Sequence, residues 1–135
     1  RCYDRICSVA VLEHMEDLPR EIARCCGLLR PGGVFQAGIP SEGGFLWWLG
    51  WRCTTGISYW LRNRLDYGVL MRHEHLSTAP DIIRVVRLLF ADVQVRWFVM
   101  PFVHLSLYAY LEARNPIMAV AEELLAGARV DSDAA

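Results

Sequence analysis

Lysine is absent. All 14 basic residues of this 135-residue chain are arginine, set against 15 acidic residues, for a net charge of −1. That balance excludes the strongly basic surface on which phosphate-backbone binders depend. The arginine-only usage reads as coding bias more than physics, although guanidinium is always charged and favours bidentate pairing. Cysteine is sparse and odd in number: Cys2, Cys7, Cys25, Cys26 and Cys53, with no CxxC spacing. A closed disulfide framework and a zinc site are both poor fits to that set. Cys7 in an apolar run and Cys25 in a helical pattern are expected to be buried free thiols of a reducing, cytoplasmic compartment. No signal peptide is visible, and no apolar run reaches the roughly 20 residues of a membrane span. The chain does not begin with Met; it runs at once from Arg1 into an apolar strand-like segment, which reads as a cut.

Hydrophobic residues make up 54% of the chain and charged residues 21%. Such a sequence can build a packed core and does not have the composition of a disordered chain. Residues 3–11 are nearly all apolar, which predicts a strand covered on both faces, as in parallel sheets. Residues 17–30 predict a helix. Asp17 caps it, Pro19 sits in its first turn, and Ile22, Cys25, Cys26 and Leu29 form one face. Pro31-Gly32-Gly33 ends it. Residues 34–39 predict a second strand stopped by Pro40. Strand, helix and strand in ~40 residues form a βαβ unit, normally parallel.

Residues 41–77 break the rhythm. Gly43, Gly44, Gly50 and Gly56 alternate there with Phe45, Trp47, Trp48, Trp51, Tyr59 and Trp60, and one or two short helices are expected. So long a connection is usually functional. Thr78 with Asp81 resembles a capping box ahead of a helix ending near Phe90. Residues 92–99 and 103–112 alternate and predict two antiparallel strands. Residues 116–130 can form a last helix. The domain reading is a sheet domain over 1–115, with an insert or lid at 41–77, and a C-terminal helix and tail at 116–135.

Two motifs carry a resemblance. Tyr3-Asp4 leading through Leu12-Glu13-His14-Met15-Glu16-Asp17 resembles a methyltransferase strand entering its "Leu-Glu-His-(Val/Met)-x-Asp" turn. Leu29-Arg30-Pro31-Gly32-Gly33 resembles the same family's turn before its next strand. The chain is thus similar to the C-terminal half of a class I S-adenosylmethionine-dependent methyltransferase. The resemblance implies an α/β fold, half of a Rossmann-like sheet with family strands in the order 4-5-7-6, strand 7 antiparallel. The cofactor would be S-adenosyl-L-methionine. The family's glycine-rich loop and ribose-binding acidic residue would precede Arg1, since no Gly-x-Gly-x-Gly occurs in these residues. The missing N-terminal half of the domain is therefore an expected partner, and the 135 residues alone are expected to be poorly stable and inactive.

The site follows from that frame. In open α/β sheets ligands bind beyond the carboxyl ends of the strands. Ser8, Val9 and Ala10 are the expected cofactor contacts. His14 is the candidate general base, because imidazole titrates near neutrality; packing at the helix entry is its other reading. Glu13 is expected to face the cleft and touch substrate. Trp47, Trp48 and Trp51 are expected to hold an apolar or lipid-like acceptor, flanked by Arg52, Arg62 and Arg64, or else to pack as a lid or dimer surface. His75, in Arg72-His73-Glu74-His75, is read as a substrate contact or part of a polar turn; no metal is expected, since positions i and i+2 do not share a helix face. His104 reads as a core or edge residue. The leading function is methyl transfer to a small apolar acceptor. A truncated, non-catalytic interaction module is the alternative, and peripheral membrane contact through the tryptophans is a third reading.

Overall fold

A computed structural model gives the architecture. It describes residues 2–41, 45–53, 57–64, 76–98, 100, 102 and 105–132, the side chains of 46, 47, 51, 63 and 128–132 excepted. Strand β1 (Tyr3–Val9) leads through a 3-10 turn (Leu12–His14) to helix α1 (Leu18–Leu28) and strand β2 (Leu29–Pro40). Two short helices follow in the aromatic stretch, α2 (Phe45–Trp51) and α3 (Ile57–Asn63). Helix α4 (Ala79–Leu89), strands β3 (Phe90–Phe98) and β4 (Tyr108–Pro116), and helix α5 (Met118–Ser132) complete the described chain.

Local chemistry explains the first unit. The Asp17 carboxylate accepts the Arg20 backbone N–H at 3.2 Å, and Pro19 occupies the first turn of α1. Ile22, Ala23 and Cys26 turn one face inward and are fully buried. The helix stops at Leu28, and Leu29 is already extended. Pro31-Gly32-Gly33 does not close the helix as expected. It forms an irregular stretch of β2, where Tyr3 pairs with Leu29 but Arg5 pairs with Val34. Gly32 has a φ of 77°, a conformation that glycine adopts without strain.

From Arg5–Val34 to Val9–Gly38, β1 and β2 run parallel. β4 then pairs antiparallel with β2 and with β3, so the sheet order is β1-β2-β4-β3. The second strand of the terminal pair lies later than expected. Residues 103 and 104, including His104, fall outside the described residues, and the strand begins at Tyr108. Phe90, expected to close α4, instead opens β3 and pairs with Pro116.

One sheet face is covered by α1, α4 and α5. Phe35, Ala37 and Ile39 of β2 and Ala109, Leu111 and Ala113 of β4 meet Ile82, Val86, Leu89 and Ala121 there. Phe35 stacks on Phe90 with ring centroids 5.7 Å apart. Asp81 supports the start of α4: its carboxylate accepts the Thr78 N–H at 3.4 Å and also the Thr78 hydroxyl. That hydroxyl bond, above all, holds the Asp81 carboxyl below its usual range.

Two expectations about burial need correction. β1 is not covered on both faces: Tyr3, Cys7 and Val9, which share one face, are exposed, because no described element packs on that face; β1 also has only one neighbour strand among the described residues. An unpaired strand edge is a route to association. Likewise Cys2, Cys7 and Cys53 are exposed, Cys25 is half-buried and only Cys26 is buried. Burial, followed by the charge of Cys25, pushes the Cys26 thiol up to about 12. Since the thiolate is the nucleophile, alkylation of the native chain at pH 8 should label Cys2, Cys7 and Cys53 and spare Cys26 until denaturant is added. Mass spectrometry showing native labelling at Cys26 would contradict the packing of α1 on the sheet.

Candidate functional site

Parallel strands point their carboxyl ends the same way, so Val9 and Ile39–Pro40 close at one rim of the sheet. Ala10 leaves β1 there with its N–H donating to the Gly38 carbonyl at 2.9 Å. Its φ is 50°, a left-handed value that costs a non-glycine residue of order 1 kcal/mol. Such strain gathers where the fold positions a segment for function. Of the expected cofactor contacts, Ser8 is half-buried while Val9 and Ala10 are exposed. All three therefore lie along an accessible stretch at the strand's end.

Glu13 departs from expectation. It is 2% exposed, inside the 3-10 turn, and does not face an open cleft. Its backbone carbonyl accepts the N–H groups of Leu76 (2.9 Å) and Ser77 (3.3 Å), tying the turn to the approach of α4. Its Oε2 has no hydrogen-bond partner among the described residues. Neighbouring His14 is exposed.

Tyr108 is the residue that sequence reasoning missed. It opens β4 opposite Pro40, and its ring lies against Gly38. A Cβ on Gly38 would come within 2.8 Å of Tyr108 Cε1 and 3.1 Å of the hydroxyl. Burial, and next the charge of Glu13, pushes the Tyr108 phenol upward from its ordinary value. The phenol thus stays neutral and able to donate a hydrogen bond. Ser41, fully buried, donates its N–H to the Leu107 carbonyl at 3.1 Å, and its Oγ is unpartnered among the described residues. Ser106 Oγ lies 2.6 Å from the Phe98 carbonyl and 2.9 Å from that of Tyr108, which fixes the turn into β4. The available signal was Gly38 itself, since glycine inside a strand often marks a close approach.

The aromatic insert is only partly described. Trp48 is half exposed and stands beside Phe45, ring centroids 6.1 Å apart, with the Arg52 guanidinium 5.4 Å from the Trp48 ring. Arg64 lies 5.0 Å from the Trp60 ring. The side chains of Trp47 and Trp51, and all of residues 72–75 with His75, lie outside the described residues. Among the described residues no cluster of metal-ligating side chains occurs, and no helix is long and apolar enough to cross a membrane.

No protein-family model and no curated protein matches the chain. Solved structures do match. NodS, an N-methyltransferase from Bradyrhizobium japonicum WM9 in complex with S-adenosyl-L-homocysteine, aligns at 17% identity with a TM-score of 0.51. The alignment covers 86% of this chain and 47% of NodS. The chain has a class I methyltransferase fold. An O-methyltransferase family protein from Burkholderia thailandensis is also similar, at 21% identity and a TM-score of 0.49, over 84% of this chain and 30% of that one. The methyltransferase-like chain thus spans less than half the length of either solved relative.

The Tyr108 ring, being the outer part of a rotatable side chain, can yield where backbone cannot. Gly38→Ala should therefore change unfolding free energy by only about 1 kcal/mol, within the range of ordinary single substitutions. It should also lower the Tyr108 titration midpoint, because the displaced ring loses the burial that chiefly raises it. An unchanged midpoint in ultraviolet pH titration would contradict the contact.

Proposed function

We propose that the protein to which this chain belongs transfers a methyl group from S-adenosyl-L-methionine to a small apolar or lipid-like acceptor. The observation that carries this reading is the parallel β1–β2 pair, with strained Ala10 at its carboxyl rim, in a fold shared with NodS. Ligands of open α/β sheets lie at that rim. Ser8, Val9 and Ala10 would pass beneath the cofactor, small enough for close backbone approach.

When bound, the cofactor supplies an electrophilic methyl on sulfonium, and the protein's task is chiefly alignment of the acceptor with it. His14, exposed beside the rim, would accept the acceptor's proton. The neutral phenol of Tyr108, its pKa raised by burial and next by the charge of Glu13, would donate to the acceptor or cofactor. Trp48 on α2 would offer an apolar face, with Trp47, Trp51 and His75 as further acceptor contacts.

Isothermal titration of S-adenosyl-L-homocysteine into the protein that carries this chain should give saturable heat. Ala10→Asp should weaken it by at least about tenfold, because a carboxylate would crowd the rim and cost on the order of 1.4 kcal/mol. Absence of heat, or an unaffected Ala10→Asp variant, would contradict the reading. His14→Gln should lower kcat more than KM if the imidazole takes the proton in the transition state.

A further inference from the structure

At the end of the β3–β4 pair where Phe98 faces Tyr108 lies an open cavity of about 590 Å³, lined by Arg96, Trp97, Phe98, Leu107, Tyr108 and Tyr110. Its size falls within the range of small-molecule sites, which combine apolar walls with few polar groups. It begins at the rim described above, since Tyr108 lines it and also touches Gly38. From there it runs along β3 and β4 toward Arg96, which pairs across the strands with Tyr110. Phe98 and Tyr110, on its walls, are 68% and 40% exposed, so the apolar surface is accessible and not part of the core.

Arg96 supplies the charge. Among the described residues it makes no ion pair or hydrogen bond. The nearby carboxylate, Glu112, shares a smaller cavity of about 150 Å³ with Arg96, Gln94 and Tyr110. Its oxygens are already engaged: Gln36 Nε2 donates to Oε2 at 2.9 Å, the Tyr110 hydroxyl reaches the same oxygen at 3.5 Å, and Arg114 Nε donates to Oε1 at 3.1 Å. The guanidinium at the far end of an apolar trough is therefore left for an anion from outside.

We infer that this trough binds an amphiphilic carboxylate, its apolar body along Phe98, Leu107 and Tyr110 and its anionic group on Arg96. This deepens the acceptor reading above, naming the acceptor as an apolar molecule with a carboxylate remote from the end at Tyr108. A guanidinium meets a carboxylate through charge-assisted bonds that a neutral hydroxyl cannot match. Two residues along a strand span roughly 7 Å, so the distance from Phe98 to Arg96 suits a medium-length chain.

The test uses octanoate and octan-1-ol as probes, titrated without cofactor into the protein that carries this chain. Octanoate should bind saturably and at least about tenfold more tightly than octanol, the difference being one charge-assisted pair. Arg96→Gln should bring the two within about threefold of each other, Arg96→Lys should keep part of the preference, and Phe98→Ser should weaken both. Phe98 and Arg96 are exposed, and circular dichroism should show each variant folded. Equal binding of the two probes, no binding of either, or an unchanged preference in folded Arg96→Gln would overturn the inference. Because no cofactor is present, these outcomes are independent of S-adenosyl-L-homocysteine binding.

Discussion

Everything in this molecule depends on two strands running the same way. β1 and β2 are separated by a single helix, and their parallel pairing forces α1 across one face of the sheet. That crossover brings Ile22 and Cys26 onto Phe35, Ala37 and Ile39, and so creates the buried layer that α4 and α5 later extend. It also fixes the rim. Ala10 donates to the Gly38 carbonyl because the parallel register sets the end of β1 level with Gly38. Once that level is set, the antiparallel entry of β4 places Tyr108 beside Gly38, and the turn before α1 buries Glu13.

The two sheet faces are consequently unlike. The helical face is apolar and closed. The other carries a row of hydrogen bonds, in which the Cys7 thiol donates to Gln36 (3.6 Å), Gln36 donates to Glu112, and Arg114 closes on Glu112. Toward the rim this polar row gives way to Phe98, Leu107 and Tyr110. The strained rim at Ala10 and the accessible apolar surface beside it are thus products of one topology. Among the described residues one edge of β1 has no neighbour strand, and its backbone groups there are open to pairing.

The first half of the fold was legible because its signals are local. Asp17, Pro19 and the spacing of Ile22, Cys26 and Leu29 mark α1 without reference to anything distant. β4 was misplaced because alternation runs from residue 103 through Arg114, so periodicity alone cannot say where pairing starts. Asn115 and Pro116 resemble a turn, yet they close the strand opposite Asp92 and Phe90. The burial of Glu13 was not legible, because a charged residue after a strand is normally solvated, and only the tertiary contacts of the 3-10 turn remove it from water. Nor could Tyr108 be tied to Gly38 without the register between β2 and β4. The rim residues Ser8–Ala10 could be named from sequence, since a strand's carboxyl end is a local property; their strain could not.

The parallel pair can be observed directly. Nuclear Overhauser contacts between backbone protons of β1 and β2 should follow the parallel ladder, with Ile6 near Phe35, Ser8 near Ala37 and Val9 near Gly38. Close Hα–Hα contacts of an antiparallel pair, which would bring Arg5 to Gly38 and Val9 to Val34, would contradict the crossover and the rim built upon it.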